Sequence, residues 1–415
     1  MTYDDLITEV RKYMYLEDTG VIKMCLASII ATRMRLGEPV WGVVIGPSSG
    51  GKSQILRPMS MTDPKFLHRI DDLTENTFLS GMKVGKGKPE PSLLHRIGNF
   101  GMIVISDLTV LFSKGKEART PILGQFRMIY DGEMTKYSGT SGEPLHWGPG
   151  SLGVLAGATP SIYSGFEEAA DMGERFIYYR MKDYDMEKAA RLAISRKMYG
   201  RELDTKMGEL FGAYIKESVK GWGDKPINLP EEVNDRLIKM SVFAERIRTA
   251  ISMDFQKKEI VRMPVPAGPA RVALQLESLA KAFYVMGNGV ISEEDMRVLD
   301  WCAYSLANEE KRGVLKLLAL SPHSNWVSAQ KLGDLLGLST SVTRNILQNL
   351  SAINIVQRSG DDSKLVWRIK NLHEWHIIRR VEGIEMEVDH GTRDITEDED
   401  SEALANEALE SWDKK

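Results

Sequence analysis

Cysteine is nearly absent: Cys25 and Cys302 are the two in 415 residues, far apart and each in a stretch of helical pattern. That count supports no disulfide framework, and the expectation is a pair of reduced, buried thiols in an intracellular protein. Histidine is scarce too, at seven residues, and no metal-ligand spacing appears. Long apolar runs are missing, since none approaches the roughly 20 residues that cross a bilayer. The opening MTYDDLITEV carries acid where a signal peptide carries base. A soluble, cytoplasmic chain with no membrane partner is therefore expected. No internal repeat is visible.

What is present is unevenly distributed. The net charge of -4 combines a stretch from Val381 to Lys415 with 13 acidic and 3 basic residues, net -10, with a remainder of about +6 by subtraction. A mildly basic body with an acidic tail is compatible with nucleic acid without establishing it. The length predicts two or three domains. Residues 1–37 read as two short helices broken near Asp18 to Gly20. From Val40 the apolar runs VWGVVIG, GMIVISD, SLGVLAGATP and RFIYYRM read as strands buried on both faces, giving a mostly parallel α/β core over 38–184. Charged amphipathic helices follow over 185–308, interrupted by RMPVPAGPAR. Residues 309–372 form a third unit, and 373–415 read as an acidic, disordered tail.

The first apolar run leads into Gly46, Pro47, Ser48, Ser49, Gly50, Gly51, Lys52 and Ser53, the spacing G-x-x-x-x-G-K-S, with Gln54 opening a helical stretch. A strand before and a helix after are the context in which such a loop cradles phosphate. Backbone N–H groups of Ser49 to Ser53 would converge on a β-phosphate, helped by the positive end of the helix. Lys52 would reach the β- and γ-phosphates, and the Ser53 hydroxyl would hold Mg²⁺. ATP with Mg²⁺ is the ligand this predicts.

Such a nest needs an acid on a neighbouring strand, and Asp107 ends GMIVISD after the apolar run. The usual acid pair is replaced by Ser106 and Asp107 followed by Leu108, so no glutamate stands ready to polarise water. Either Asp107 organises the metal while Glu133 or Asp131 from IYDGE assists the water, or Asp107 does both. LAGATPS ends a buried strand at Thr159, where a polar side chain can orient water. Arg175 directly precedes RFIYYRM's strand, where it either projects toward a neighbouring subunit's nucleotide, an effect worth about 10³ to 10⁵ in rate when supplied in trans, or makes a surface salt bridge.

Strands in the order nest, acid, polar residue and arginine resemble those of an AAA+ ATPase. SDLTVLF, FRMIYDGEMTKYSGT, LAGATPS and GERFIYYRM are similar to consecutive blocks of the MCM-like helicase branch, among replication ATPases of bacteriophages and mobile elements. ARVALQLESLAKAFYVMGNGVISEEDMRVLDW resembles the lid of that branch. The likeness spans roughly 38–310. It implies an AAA+ α/β core, a helical lid whose Arg271 reads the nucleotide, a hexameric homo-oligomer and ATP-driven translocation on DNA. It also implies two DNA-facing insertions. The candidates are Lys83, Lys86 and Lys88 in KVGKGKPEPS, and a hairpin over EMTKYSGTSGEPLHW with its turn at Ser138 to Gly142 and Lys136 nearby. Both would grip backbone phosphates without reading sequence. No room precedes residue 38 for that branch's N-terminal DNA-binding collar, so either a loader, primase or single-strand-binding partner is implied for loading or processivity, or the first helices substitute for the collar.

In the third unit, three helical patterns and the alternating INIVQRSGDDSKLVWRIK read as a winged helix. Thr340, Ser341, Thr343, Arg344 and Gln348 lie on the polar face of its third helix, the composition of a groove-entering helix. Asp361 and Asp362 at the wing tip would repel phosphate, so contact with DNA and docking of a protein stand side by side. Trp326 and Trp367 read as core. Three functions remain: a helicase of a phage or mobile element, a helicase loader or remodeller without intrinsic unwinding, and a nucleotide-switched DNA-binding regulator.

Overall fold

The computed structural model describes residues 1–80, 92–137, 144–167, 175–195, 198–223, 225–249, 251, 253–254, 259–260, 264–360 and 365–384. They form two compact units, one of residues 1–241 with 269–305 and one of 242–268 with 306–415. The division cuts the expected helical stretch: most of it belongs with the sheet, and 242–268 belongs with the C-terminal unit.

The first unit opens with α1 (Tyr3–Val10) and α2 (Gly20–Arg33), then β1 (Trp41–Ile45), α3 (Lys52–Ser60) and β2 (Leu67–Ile70). Next come α4 (Leu93–Ile97), β3 (Phe100–Ile105), α5 (Thr109–Ser113), α6 (Lys116–Tyr130) and the antiparallel pair β4 (Met134–Lys136) and β5 (Leu145–Trp147). The chain continues through β6 (Ser151–Ala158), α7 (Ile162–Glu167), β7 (Ile177–Arg180), α8 (Met186–Ser195), α9 (Gly200–Ser218) and α10 (Glu231–Arg248). Short strands β8 (Met253–Asp254) and β9 (Glu259–Ile260) lie in the second unit, before α11 (Ala270–Met286) and α12 (Glu293–Tyr304) return to the first.

Five parallel strands in the order β2-β3-β6-β1-β7 make the sheet of this α/β, P-loop-like core. The four apolar runs are β1, β3, β6 and β7, buried along nearly their whole length. Glycine lets helices lie close on one face. A β-carbon at Gly153 would sit 2.6 Å from the Thr32 hydroxyl of α2, and one at Gly157 would meet Leu56 of α3 at 3.1 Å. The two glycines are four apart on β6, so α2 and α3 share that face. On the other face Trp41 stacks edge-on against Phe126 and Tyr130 of α6 and tilts against Phe176. Helix α2 is buried from Gly20 to Thr32, so the N-terminal segment is part of the core.

The second unit contains α13 (Glu309–Leu320), β10 (Val327–Ser328), α14 (Ala329–Leu336), α15 (Thr340–Ala352), β11 (Val356–Ser359), β12 (Val366–Ile369) and α16 (Leu372–Glu382). Its three strands pair antiparallel in the order β10-β12-β11. Trp367 is fully buried, as expected, but Trp326 is 38% exposed with the Arg368 guanidinium 4.5 Å from its ring. Helix α16 corrects the reading of a tail from 373: Trp375, Ile377, Ile378 and Val381 are buried, and Arg379 donates to the carbonyl of Ala319 at 2.9 Å. The acidic residues 385–415 and the wing-tip Asp361 and Asp362 lie outside the described residues.

Candidate functional site

Strand β1 delivers the chain to a loop whose backbone only glycine adopts readily. Gly46 donates to the carbonyl of Ala158 at 3.1 Å, tying the loop to β6, and Gly50 donates to Pro47 at 3.1 Å. Gly51 caps α3 at φ +87°. A β-carbon there would have room, with Met14 3.7 Å away, so the backbone angle and not crowding selects glycine. Ser49 also has positive φ, at +62°. Gly51 gives α3 no side-chain cap, which leaves the first-turn N–H groups available to an anion.

Lys52 is buried, and its ammonium donates to the carbonyls of Gly46 at 2.8 Å and Pro47 at 2.6 Å. Burial pushes its pKa down, and the negative charge of Asp107 opposes that shift. The two side chains thus sense one another across the end of the sheet. Ser53 is exposed one residue into the helix, and Gln54 donates through its backbone to Gly51 at 2.9 Å.

Asp107 follows β3, two strands from β1. Its carboxylate accepts from the backbone N–H of Thr109 at 2.9 Å. The intervening strand β6 is followed by Thr159, whose N–H donates to the Thr109 hydroxyl at 2.8 Å and whose own hydroxyl lies 2.8 Å from that of Ser161. Gly157 makes this crowding possible, because a β-carbon there would come 2.7 Å from the Ser106 carbonyl. Nest, Thr159 and Asp107 therefore share the C-terminal edge of the sheet. A carboxylate that the sequence reading did not single out joins them. Asp71, just past β2, accepts from the Ser106 hydroxyl and from Arg69 Nη2 at 2.8 and 3.1 Å. These bonds hold its carboxyl below the ordinary range, Ser106 contributing most. The available signal was RIDD, acids after a short polar strand.

The remaining candidates lie elsewhere. Parallel strands put the start of β7 at the opposite edge, and there Arg175 does not project into solvent: its side chain is 7% exposed. It donates to Asp131 at 3.1 and 3.2 Å, and its guanidinium stands 5.5 Å from the Tyr130 ring. Its carbonyl accepts from Gln275 at 2.9 Å. Burial lowers the Arg175 pKa, Asp131 opposes this, and the positive charges of Arg271 and Arg127 add to the lowering. Arg271, exposed in the first turn of α11, thus belongs to the same end. Gly132, between Asp131 and Glu133, accepts from Gly150 at the start of β6 at 2.9 Å. Those two acids therefore stand at the edge away from their own chain's nest, whereas Asp107 lies on the nest's edge, where its charge acts on Lys52.

Lys136 donates to the Glu75 carbonyl at 3.0 Å and to Asn76 Oδ1 at 2.9 Å. The strands of its hairpin are β4 and β5, but the turn at Ser138 to Gly142 lies outside the described residues, as do Lys83, Lys86 and Lys88. In the second unit Arg344 is exposed on α15 with Thr340 and Ser341, whereas Thr343 is fully buried and donates to the Ser339 carbonyl at 3.2 Å. Among the described residues no group of three or more His, Cys, Asp and Glu side chains could cage a metal ion, and no helix is long and apolar enough to cross a membrane.

No protein-family model matches this sequence, and no curated protein does. Among solved structures 36 chains match. One is NtrX from Brucella abortus in complex with ADP, 12% identical, matched over 84% of this chain and 72% of that one with a TM-score of 0.28. A score that low carries no argument, and the fold is read from the sheet itself.

Proposed function

We propose that the chain is an ATP-driven DNA translocase of the AAA+ class, MCM-like, working as a ring of identical subunits in replication of a phage or mobile element. The observation that carries this reading is the sheet edge where an uncapped helix, a buried lysine and Asp107 converge on one glycine-rich loop. The first-turn N–H groups of α3 bind the phosphates, and Lys52 exchanges its two carbonyl partners for phosphate oxygens. With no caging cluster among the described residues, the chain would hold Mg²⁺ by Ser53 and Asp107, hard oxygen donors that suit an ion arriving with nucleotide. When bound, the ion would offset charge on the phosphates. Thr159 orients water between the nest and Asp107.

The arginines at the far edge fit a site completed by the next subunit. Arg271 is exposed, and Arg175 reaches a neighbour's nucleotide by leaving Asp131. Hydrolysis changes the angle between subunits and moves the β4–β5 hairpin along one DNA strand. The helices α13 to α15 with strands β10 to β12 support a winged helix that presents Thr340, Ser341 and Arg344 to DNA or to a partner protein.

A second reading, a loader that hydrolyses ATP without unwinding, is favoured by Lys136, whose ammonium is bound to Glu75 and Asn76 rather than free for phosphate. Displacement of a labelled strand from a forked duplex with ATP and Mg²⁺, beside Lys52→Ala, separates the two. Strand release by the unaltered protein alone is the expected result. DNA-stimulated hydrolysis without release would establish the loader instead.

A further inference from the structure

Strand β3 is followed by Ser106 and Asp107, one acid where a hydrolytic site gains from two polar groups, and the residue just past neighbouring β2 supplies a carboxylate to the serine. The Ser106 hydroxyl donates its proton to Asp71 and accepts from Arg69 Nε at 3.1 Å. A serine hydroxyl has one proton and two lone pairs. With the proton and one pair committed, the capacity left to Ser106 is a single acceptor position, one residue from Asp107. Arg69 binds both oxygens of Asp71, so the carboxylate that orients the hydroxyl is itself clamped. Asp71 is 65% exposed on its side chain, at the same strand edge as the nest. A bond made only to hold β2 against β3 is not needed there, since the strands already pair from Leu67 with Met102 to Ile70 with Ile105.

We propose that Asp71 is a positioning residue of the hydrolytic site, acting through Ser106, whose remaining lone pair accepts one hydrogen of the attacking water while Asp107 accepts the other. This rests on the reading of the nest as an ATPase site. The water oxygen forms the bond to the γ-phosphorus. The bond from that phosphorus to the β–γ bridging oxygen breaks, its electron pair leaves with ADP, and the water proton passes to Asp107. Asp71 stays ionised throughout and fixes which way the hydroxyl points.

The test uses the full chain with Asp71→Ala, Ser106→Ala, Ser106→Thr and the double alanine variant. For each, kcat and KM for ATP are measured beside the Kd of a fluorescent ATP analogue and the thermal midpoint. Asp71→Ala and Ser106→Ala are expected to lower kcat by roughly tenfold to a hundredfold, the usual loss when an orienting partner is removed. KM, analogue Kd and midpoint should hold. Ser106→Thr, which keeps the hydroxyl, should restore most of kcat, and the double variant should be no slower than the slower single one. A kcat unchanged in Asp71→Ala, or equally low in the threonine and alanine variants at unchanged Kd, would overturn the proposal while leaving the ATPase reading intact. Failure of the unaltered protein to bind the analogue would instead remove the ATPase reading and this role with it.

Discussion

The two ends of the five-stranded sheet handle charge in opposite ways. At the C-terminal edge Lys52 is satisfied by two backbone carbonyls and Asp107 by a backbone N–H, and α3 begins without a side-chain cap. At the N-terminal edge Arg175 is buried against Asp131 and Tyr130, and its carbonyl is tied through Gln275 to the N–H of Trp41 at 2.8 Å. One edge keeps Lys52 and Asp107 on neutral backbone partners that a ligand can replace. The other has neutralised its principal charge internally. The difference separates an edge with exchangeable partners from a buried arginine, and any role of Arg175 at a neighbour's nucleotide, as proposed above, would require it to leave Asp131.

The sharpest way to break this contrast is at the nest. Lys52→Ala should lower ATP hydrolysis to background while a cooperative thermal transition is retained, the ammonium's lost partners being the carbonyls of buried Gly46 and exposed Pro47. Turnover retained in that variant would detach the nest from the chemistry.

The next effect is expected at the opposite edge. Asp131→Ala strips the buried Arg175 of a charged acceptor and should destabilise the protein by about 1–3 kcal/mol in a denaturant titration. It should at the same time leave the affinity for nucleotide unchanged, since Asp131 is on the wrong edge to touch its own nest. A fall in affinity with no fall in stability would reverse the assignment of the two ends.

The smallest effect lies in the second unit, which holds a buried carboxyl. Burial pushes the Glu374 carboxyl up to about 7, with Asn371 and Arg246 pulling the other way. Arg246 pairs with it at 3.1 Å, and His373 stands 3.9 Å away. The unfolded chain's glutamate titrates near about 4.3, so between there and about 7 the folded state binds the extra proton. Stability should therefore fall as pH rises through that window and level above it. Glu374→Gln should flatten this part of the pH profile of the thermal midpoint; an unaltered slope would assign it to other groups.

Much of this was legible in the sequence, for identifiable reasons. Strands buried on both faces appear as apolar runs, so β1, β3, β6 and β7 could be read directly, and the phosphate nest carries a fixed spacing of glycine, lysine and serine. Strand β2 escaped because it lies at the sheet edge and reads Leu-His-Arg-Ile, with only its first residue buried, and Asp71 escaped with it. Helix α16 escaped because its buried face includes Glu374 and Arg379, which composition assigns to solvent. Arg175 was found, but its burial was not, since the acid that holds it is 44 residues away in the chain. Thr343 looked like part of a polar face for a related reason: its hydroxyl is satisfied by the helix's own Ser339 carbonyl and needs no water. Local pattern reports which residues can do chemistry. Partners distant in sequence decide which of them are free to do it.

The central claim is that the two edges meet across a boundary between copies of the chain, and mixing tests it most directly. Arg175→Ala, which keeps a complete nest, and Lys52→Ala, which keeps its arginines, should each be inactive in ATP hydrolysis. Combined in equal amounts, they should recover activity above either alone, because some boundaries then pair an intact Lys52 with an intact Arg175. A mixture no more active than its components, with both variants shown to assemble, would contradict the shared site and return the chemistry to a single chain.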